Sequence, residues 1–79
     1  MSAPANPYAP REVAVRPGPR GPLAVGGRAV EAVREQWLVE DRWWTEEPLR
    51  RHYLELVLAG GRCLVVYRDL VADRWYEQR

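Results

Sequence analysis

"LELVLAGGRCLVVYRD", residues Leu54 to Asp69, carries two apolar runs on either side of an adjacent glycine pair. Gly-Gly between strand-forming runs supplies the positive φ that a two-residue hairpin loop needs. With Gly60–Gly61 as the loop, Ala59 faces Arg62, Leu58 faces Cys63, Leu56 faces Val65 and Leu54 faces Tyr67. Leu54, Leu56, Leu58, Cys63, Val65 and Tyr67 then share one continuously apolar face. The other face, with Val57 opposite Leu64, Glu55 opposite Val66 and Tyr53 opposite Arg68, is mixed. That contrast is the mark of an antiparallel ribbon packed on one side. "CLVVY", Cys63 to Tyr67, is also rich in strand-favouring residues.

Working outward, a second pair, Gly26–Gly27 in "LAVGGRAV", predicts another hairpin. "REVAVR", Arg11 to Arg16, alternates with Val13 and Val15 on one face, and "PGPRGP" then breaks it, because three Pro in six residues exclude a central strand. On the far side, "DLVAD", Asp69 to Asp73, reads as a turn and "RWYEQR" as a last short strand. Residues 28–44 are ambiguous. Val30, Val33, Trp37 and Trp44 form a stripe at helical spacing, and "EEPLRRHYLELVLAGG" fits a helix with Pro48 in its first turn and Gly as C-cap. Periodicity alone leaves helix and strand open there. Three considerations select strand: the glycine pair before the segment, the good pairing of the second hairpin, and the inability of two isolated helices to cover both faces of the remaining ribbon. A strand keeps both Val30 and Val33 inward only with a bulge near Glu31–Ala32.

The chain has 79 residues, enough for one domain at most. Residues 1–10, MSAPANPYAP, have no apolar periodicity and read as a disordered tail ahead of a single domain over 11–79. A domain this small sits near the lower limit for an unassisted core, so its four Trp and four Tyr matter. The net charge of +1 argues against a general polyanion binder. It is unevenly spread: residues 1–28 carry four Arg and one Glu, whereas residues 29–79 are mildly acidic. Every basic residue is Arg, which reflects either codon bias or selection for the bidentate, stacking guanidinium. One Cys, Cys63, forms no internal disulfide and suits a reducing cytoplasm. No apolar stretch approaches a membrane span, and no charged leader precedes an apolar run.

Few residues offer chemistry. His52 falls opposite Asp69 in the expected register, a pairing that can orient a general base, but no hydroxyl stands beside it to activate. Cys63, beside Leu58, reads as a small buried hydrophobe. Glu46–Glu47 before Pro48 reads as a solvated turn, and the glycine pairs lack a phosphate-loop context. No enzyme activity, metal or cofactor is expected. The aromatic set Trp37, Trp43, Trp44, Tyr53, Tyr67, Trp75 and Tyr76 is heavier than its surroundings. Neighbours in a strand point to opposite faces, so one of Trp43 and Trp44 is expected outside. The bland account is large rings plugging the ends of a small barrel. The functional account is a shallow patch of Trp43 or Trp44, Tyr53 and Trp75 with Arg50, Arg51 and Arg74, residue types that dominate protein interfaces.

The stretch "WLVEDRWWTEEPLRRHYLELVLAGGRCLVVYRDLVADRWYEQR" resembles the small bacterial domain family DUF6504. The matching features are Trp37, Trp43–Trp44, Glu47–Pro48, Arg51 with Tyr53, Gly60–Gly61, Tyr67–Arg68–Asp69 and Arg74–Trp75–Tyr76, within a similarity over residues 11–79. After the first hairpin the family often carries aromatic and basic residues, where this chain has the thinner "GGRAVEAV". The resemblance implies a setting: stand-alone actinobacterial proteins, and the C-termini of polymerase-like proteins of the damage-tolerance mutasome. The expected fold is a small five- to six-stranded, SH3-like, partly open β-barrel. The expected function is a non-catalytic protein-interaction module, accessory to error-prone translesion DNA synthesis, with a Y-family-like or replicative-type polymerase subunit as partner. The alternatives are a small barrel that binds single-stranded nucleic acid and an architectural homodimer through an open sheet edge.

Overall fold

A computed structural model describes residues 10–41, 44–46 and 48–78. All but Pro10 of the expected disordered tail therefore lies outside the described residues. The chain forms seven strands, β1 (Arg11–Glu12), β2 (Val15–Gly18), β3 (Gly21–Val25), β4 (Arg28–Asp41), β5 (Leu49–Leu58), β6 (Cys63–Asp69) and β7 (Arg74–Glu77). No helix occurs among the described residues. The all-β expectation holds, but the count is seven rather than five or six. Two differences produce it. The leading strand is interrupted at Val13–Ala14, and the proline-rich segment forms the β2–β3 hairpin, with Pro17 opposite Pro22, instead of ending the sheet. Its first strand lies at the sheet's edge, where a missing backbone donor is tolerated, and the ladder shifts register between Arg16 and Pro17.

The strands form one antiparallel sheet in the order β1-β7-β6-β5-β4-β3-β2. Its two edges, β1 and β2, are consecutive in the chain, so the sheet must curl. Val13 N donates to Trp75 O at 3.0 Å, and Gly26 N donates to Ala14 O at 2.8 Å. These two bonds draw both edges onto one segment and make a curled half-barrel.

Gly26 and Gly27, with φ of 56° and 82°, join β3 to β4 as the expected two-residue loop, since Val25 pairs with Arg28. The β5–β6 loop is longer. Leu58 N donates to Arg62 O at 2.8 Å and Gly61 N to Leu58 O at 2.9 Å, enclosing Ala59, Gly60 and Gly61. The register therefore sits one residue from the expected one: Leu54 pairs with Val66, Leu56 with Leu64 and Val57 with Cys63. A one-residue slip exchanges the faces of the partner strand. Leu54, Leu56, Leu58 and Val66 are buried with Val25 inside the curl, and Val13, Val15, Val30, Val33, Leu64 and Trp75 pack against them. β4 is a strand throughout, and its register shifts at Val30/Ala32 and Val33/Glu35. Val30 and Val33 both reach the core by this route, as the bulge reading requires.

Candidate functional site

The corrected register aligns one aromatic residue from each of four strands on the outer face. Trp37 pairs with Tyr53, Tyr53 with Tyr67 and Tyr67 with Tyr76. Trp37 and Tyr53 stack with centroids 5.4 Å apart and planes 5° from parallel. Tyr53 and Tyr67 are 5.0 Å apart and tilted by 40°, and Tyr67 and Tyr76 are 5.2 Å apart at 25°. Rings from adjacent strands meet in this way because directly opposed residues share a face at short range. Each ring covers a face of the next, so Tyr67, in the middle, is only 3% exposed although it lies outside the curl.

Arg51 completes the cover. It lies two residues before Tyr53, on the same face, with Cζ 4.6 Å from the Tyr67 centroid. Its Nη1 donates to the Tyr53 hydroxyl at 3.3 Å. Arg51 Nε is buried without a hydrogen-bond partner, because the guanidinium lies over the ring. Burial alone lowers the Arg51 pKa, but the Tyr53 hydroxyl bond and the Tyr67, Tyr53 and Asp69 charges outweigh it, so the net shift is upward. Tyr67 is pushed above the usual phenol value, chiefly by burial, against the opposing pull of the Arg51 charge. Two other guanidiniums on this face meet carboxylates: Arg74 Nη1 lies 3.9 Å from Glu12 Oε2, and Arg34 Nε lies 3.3 Å from Glu55 Oε1.

One end of the sheet exposes apolar surface. The end of β4, the start of β5 and the β6–β7 turn lie there together, and Leu70 N donates to Arg50 O at 2.9 Å. Trp44 is 66% exposed, Val71 57% and Leu38 54%, with Leu70 beside them. The β6–β7 turn that presents Leu70 and Val71 is braced by Asp69. Its Oδ1 accepts from Val71 N and Ala72 N, and its carbonyl accepts from Asp73 N. Arg68 Nε donates to Asp73 Oδ1 at 2.9 Å, which ties the turn to the strand before it.

The expected patch is thus divided. Arg51 and Tyr53 come together, and Arg74 lies on the same outer face, opposite Asp69. Arg50 and Trp75 alternate with those residues and face the other side. Arg50 Nε stands 4.0 Å from Glu40 Oε2, and Trp75 packs against the core. Trp44 belongs to the exposed end, and Trp43 lies outside the described residues. Two other expectations fail through the same slip. His52 pairs with Arg68 rather than Asp69, and its Nε2 lies 2.9 Å from Gln36 Oε1. Cys63 is exposed on the outer side, with Arg34 Nη1 3.7 Å from its Sγ, instead of buried beside Leu58.

Under the curl, His52, Gln36, Trp75, Arg20 and Arg68 line a cleft of about 280 Å³ roofed by the β2–β3 hairpin. Leu38, Leu70 and Val71 were not singled out from the sequence. Their only signal there is an apolar residue beside a turn, which is too common to decide anything. Among the described residues no group of three or more His, Cys, Asp or Glu is placed to hold a metal ion, and no helix is long and apolar enough to cross a membrane. No family model, curated protein or solved structure matches the chain.

Proposed function

We propose that this chain is a non-catalytic protein-interaction module, and that it presents the end of the sheet carrying Trp44, Leu38, Leu70 and Val71 to its partner. The observation that carries this reading is that each of those four side chains is exposed, Leu70 and Val71 on a turn braced by Asp69. Large apolar residues grouped on a small domain's surface mark a docking site more often than solvent-facing decoration. Arg50 at its border, with Arg51 and Tyr53 beyond, supplies residue types that anchor interfaces. The curled sheet itself we read as an SH3-like, partly open barrel, a scaffold that displays loops at its ends. The resemblance to DUF6504 supplies the setting: an accessory in error-prone translesion synthesis, with a Y-family-like or replicative-type polymerase subunit as partner.

The test is co-purification of tagged chain with purified subunits of each polymerase type. Trp44→Ala and Val71→Asp should each abolish retention while leaving the far-ultraviolet circular dichroism unchanged. Retention unaffected by both variants would remove this surface from the reading.

Single-strand nucleic-acid binding is the second reading, favoured by the row of rings across the outer face. Against it, the two inner rings are covered on both sides by their neighbours, and Arg34 and Arg74 beside the row are paired with carboxylates. Base stacking needs free ring faces beside a basic groove. Tryptophan fluorescence quenched by oligonucleotides at low salt, and recovering as salt is raised, would restore this reading.

A further inference from the structure

The opposite end of the sheet, at the β3–β4 and β5–β6 loops, is chemically different. There Arg11, Arg28 and Arg62 line one cleft of about 280 Å³ whose floor includes Val25 and Leu58. All three belong to the inner side. Arg11 opposes Glu77, Arg28 opposes the buried Val25, and Arg62 opposes the buried Leu58. On the rest of the sheet Arg34, Arg50, Arg68 and Arg74 each meet a carboxylate and Arg51 meets two tyrosines; Arg16 and Arg20, in the β2–β3 hairpin, also lack a carboxylate among the described residues but line no part of this cleft. Arg11, Arg28 and Arg62 have no such partner among the described residues, and Glu77 is the cleft's only acid. Three positive charges and one negative around an apolar floor make a site that lacks an anion.

We propose that this cleft binds a phosphate group, either free as a small polyphosphate or carried by a nucleotide. The guanidinium is planar and presents paired donors, so three of them approaching from β1, β4 and the β5–β6 loop can meet three oxygens of a tetrahedral anion. A carboxylate has two coplanar oxygens and satisfies one such fork. Glu77, across the β1–β7 ladder from Arg11, closes the remaining side and opposes entry of a second anion. This site is separate from the exposed apolar end, and its test is independent of partner binding.

Amide chemical shifts of the full chain are followed at low ionic strength while sodium pyrophosphate is added. Adenosine diphosphate, a 5′-phosphorylated dinucleotide and sodium malonate are titrated in parallel. The expected result is saturable shifts confined to residues around Arg11, Arg28 and Arg62, weakening as salt is raised. In the Arg28→Gln/Arg62→Gln variant the affinity should fall by about tenfold or more, as expected for losing charged hydrogen bonds. Arg16→Gln, at the β2 edge, should leave it unchanged. Arg11→Gln, on the short edge strand β1, is the second variant if the pair disturbs the fold. The comparison of pyrophosphate, nucleotide and dinucleotide identifies the phosphate's carrier. Absence of saturation at millimolar pyrophosphate, equal affinity in the variants, or malonate binding as tightly as pyrophosphate would overturn the proposal.

Discussion

At Tyr67 the outer face of the sheet becomes a second buried layer, and the side chain's acidity reports it. An unfolded tyrosine loses its proton near pH 10. Tyr67 in the fold holds its proton to higher pH, mainly because burial disfavours the phenolate. Between the two values the unfolded chain binds fewer protons than the folded one, so stability falls as pH rises through that window and is constant below it. The urea midpoint should therefore decline above about pH 10, and Tyr67→Phe should make the decline shallower; phenolate absorbance gives the late titration directly. Cys63 offers a second residue-level check. In the expected register it would be sealed against Leu58, whereas the fold leaves it exposed. A thiol reagent should label it in the native protein at a rate close to that of the unfolded chain. Labelling that waits for unfolding would contradict the observed pairing.

At the scale of elements, the two glycine pairs teach different lessons. Both pairs were legible as loops, and both sit at positive φ. The length of the second loop was not legible. "CLVVY" is apolar at every position, so either register places apolar residues opposite Leu54 and Leu56, and patterning cannot choose between them. The choice falls to the three-residue loop Ala59–Gly61, and with it go the faces of Cys63 and Tyr67 and the partner of His52. The strand reading of 28–44, which holds over Arg28–Asp41, was legible only by indirect argument, because the register shift between Val30 and Ala32 gives the inward valines of β4 a helical spacing. The aromatic residues were visible, but their alignment into one row needed the register. For the first loop, no neighbouring atom obstructs a side chain at Gly27, so only its φ of 82° resists substitution. Gly27→Val should cost about 1–2 kcal/mol and Gly27→Asn distinctly less, measured by urea denaturation.

For the whole molecule, the inner layer is small, with five buried aliphatic side chains at its centre. Stability then depends on each of them. Leu56 is fully buried, and Leu56→Ala should cost about 2–5 kcal/mol. A domain of this size has in total roughly 0.05–0.15 kcal/mol per residue, so that loss should leave much of the population unfolded at room temperature. The curled all-β architecture was legible in outline from alternation and loops. The closure was not, because nothing in "REVAVR" announces that Val13 and Ala14 serve opposite edges of one sheet.

That closure also orders events in time. Residues 13 and 14 leave the ribosome long before one of their hydrogen-bond partners, Trp75. The sheet thus waits for its last strand before its margins can meet, and the waiting edges β2 and β6 are open to other chains meanwhile. Refolding followed by tryptophan emission should consequently be slow for so short a polypeptide, in the millisecond-to-second range of folds dominated by distant pairings.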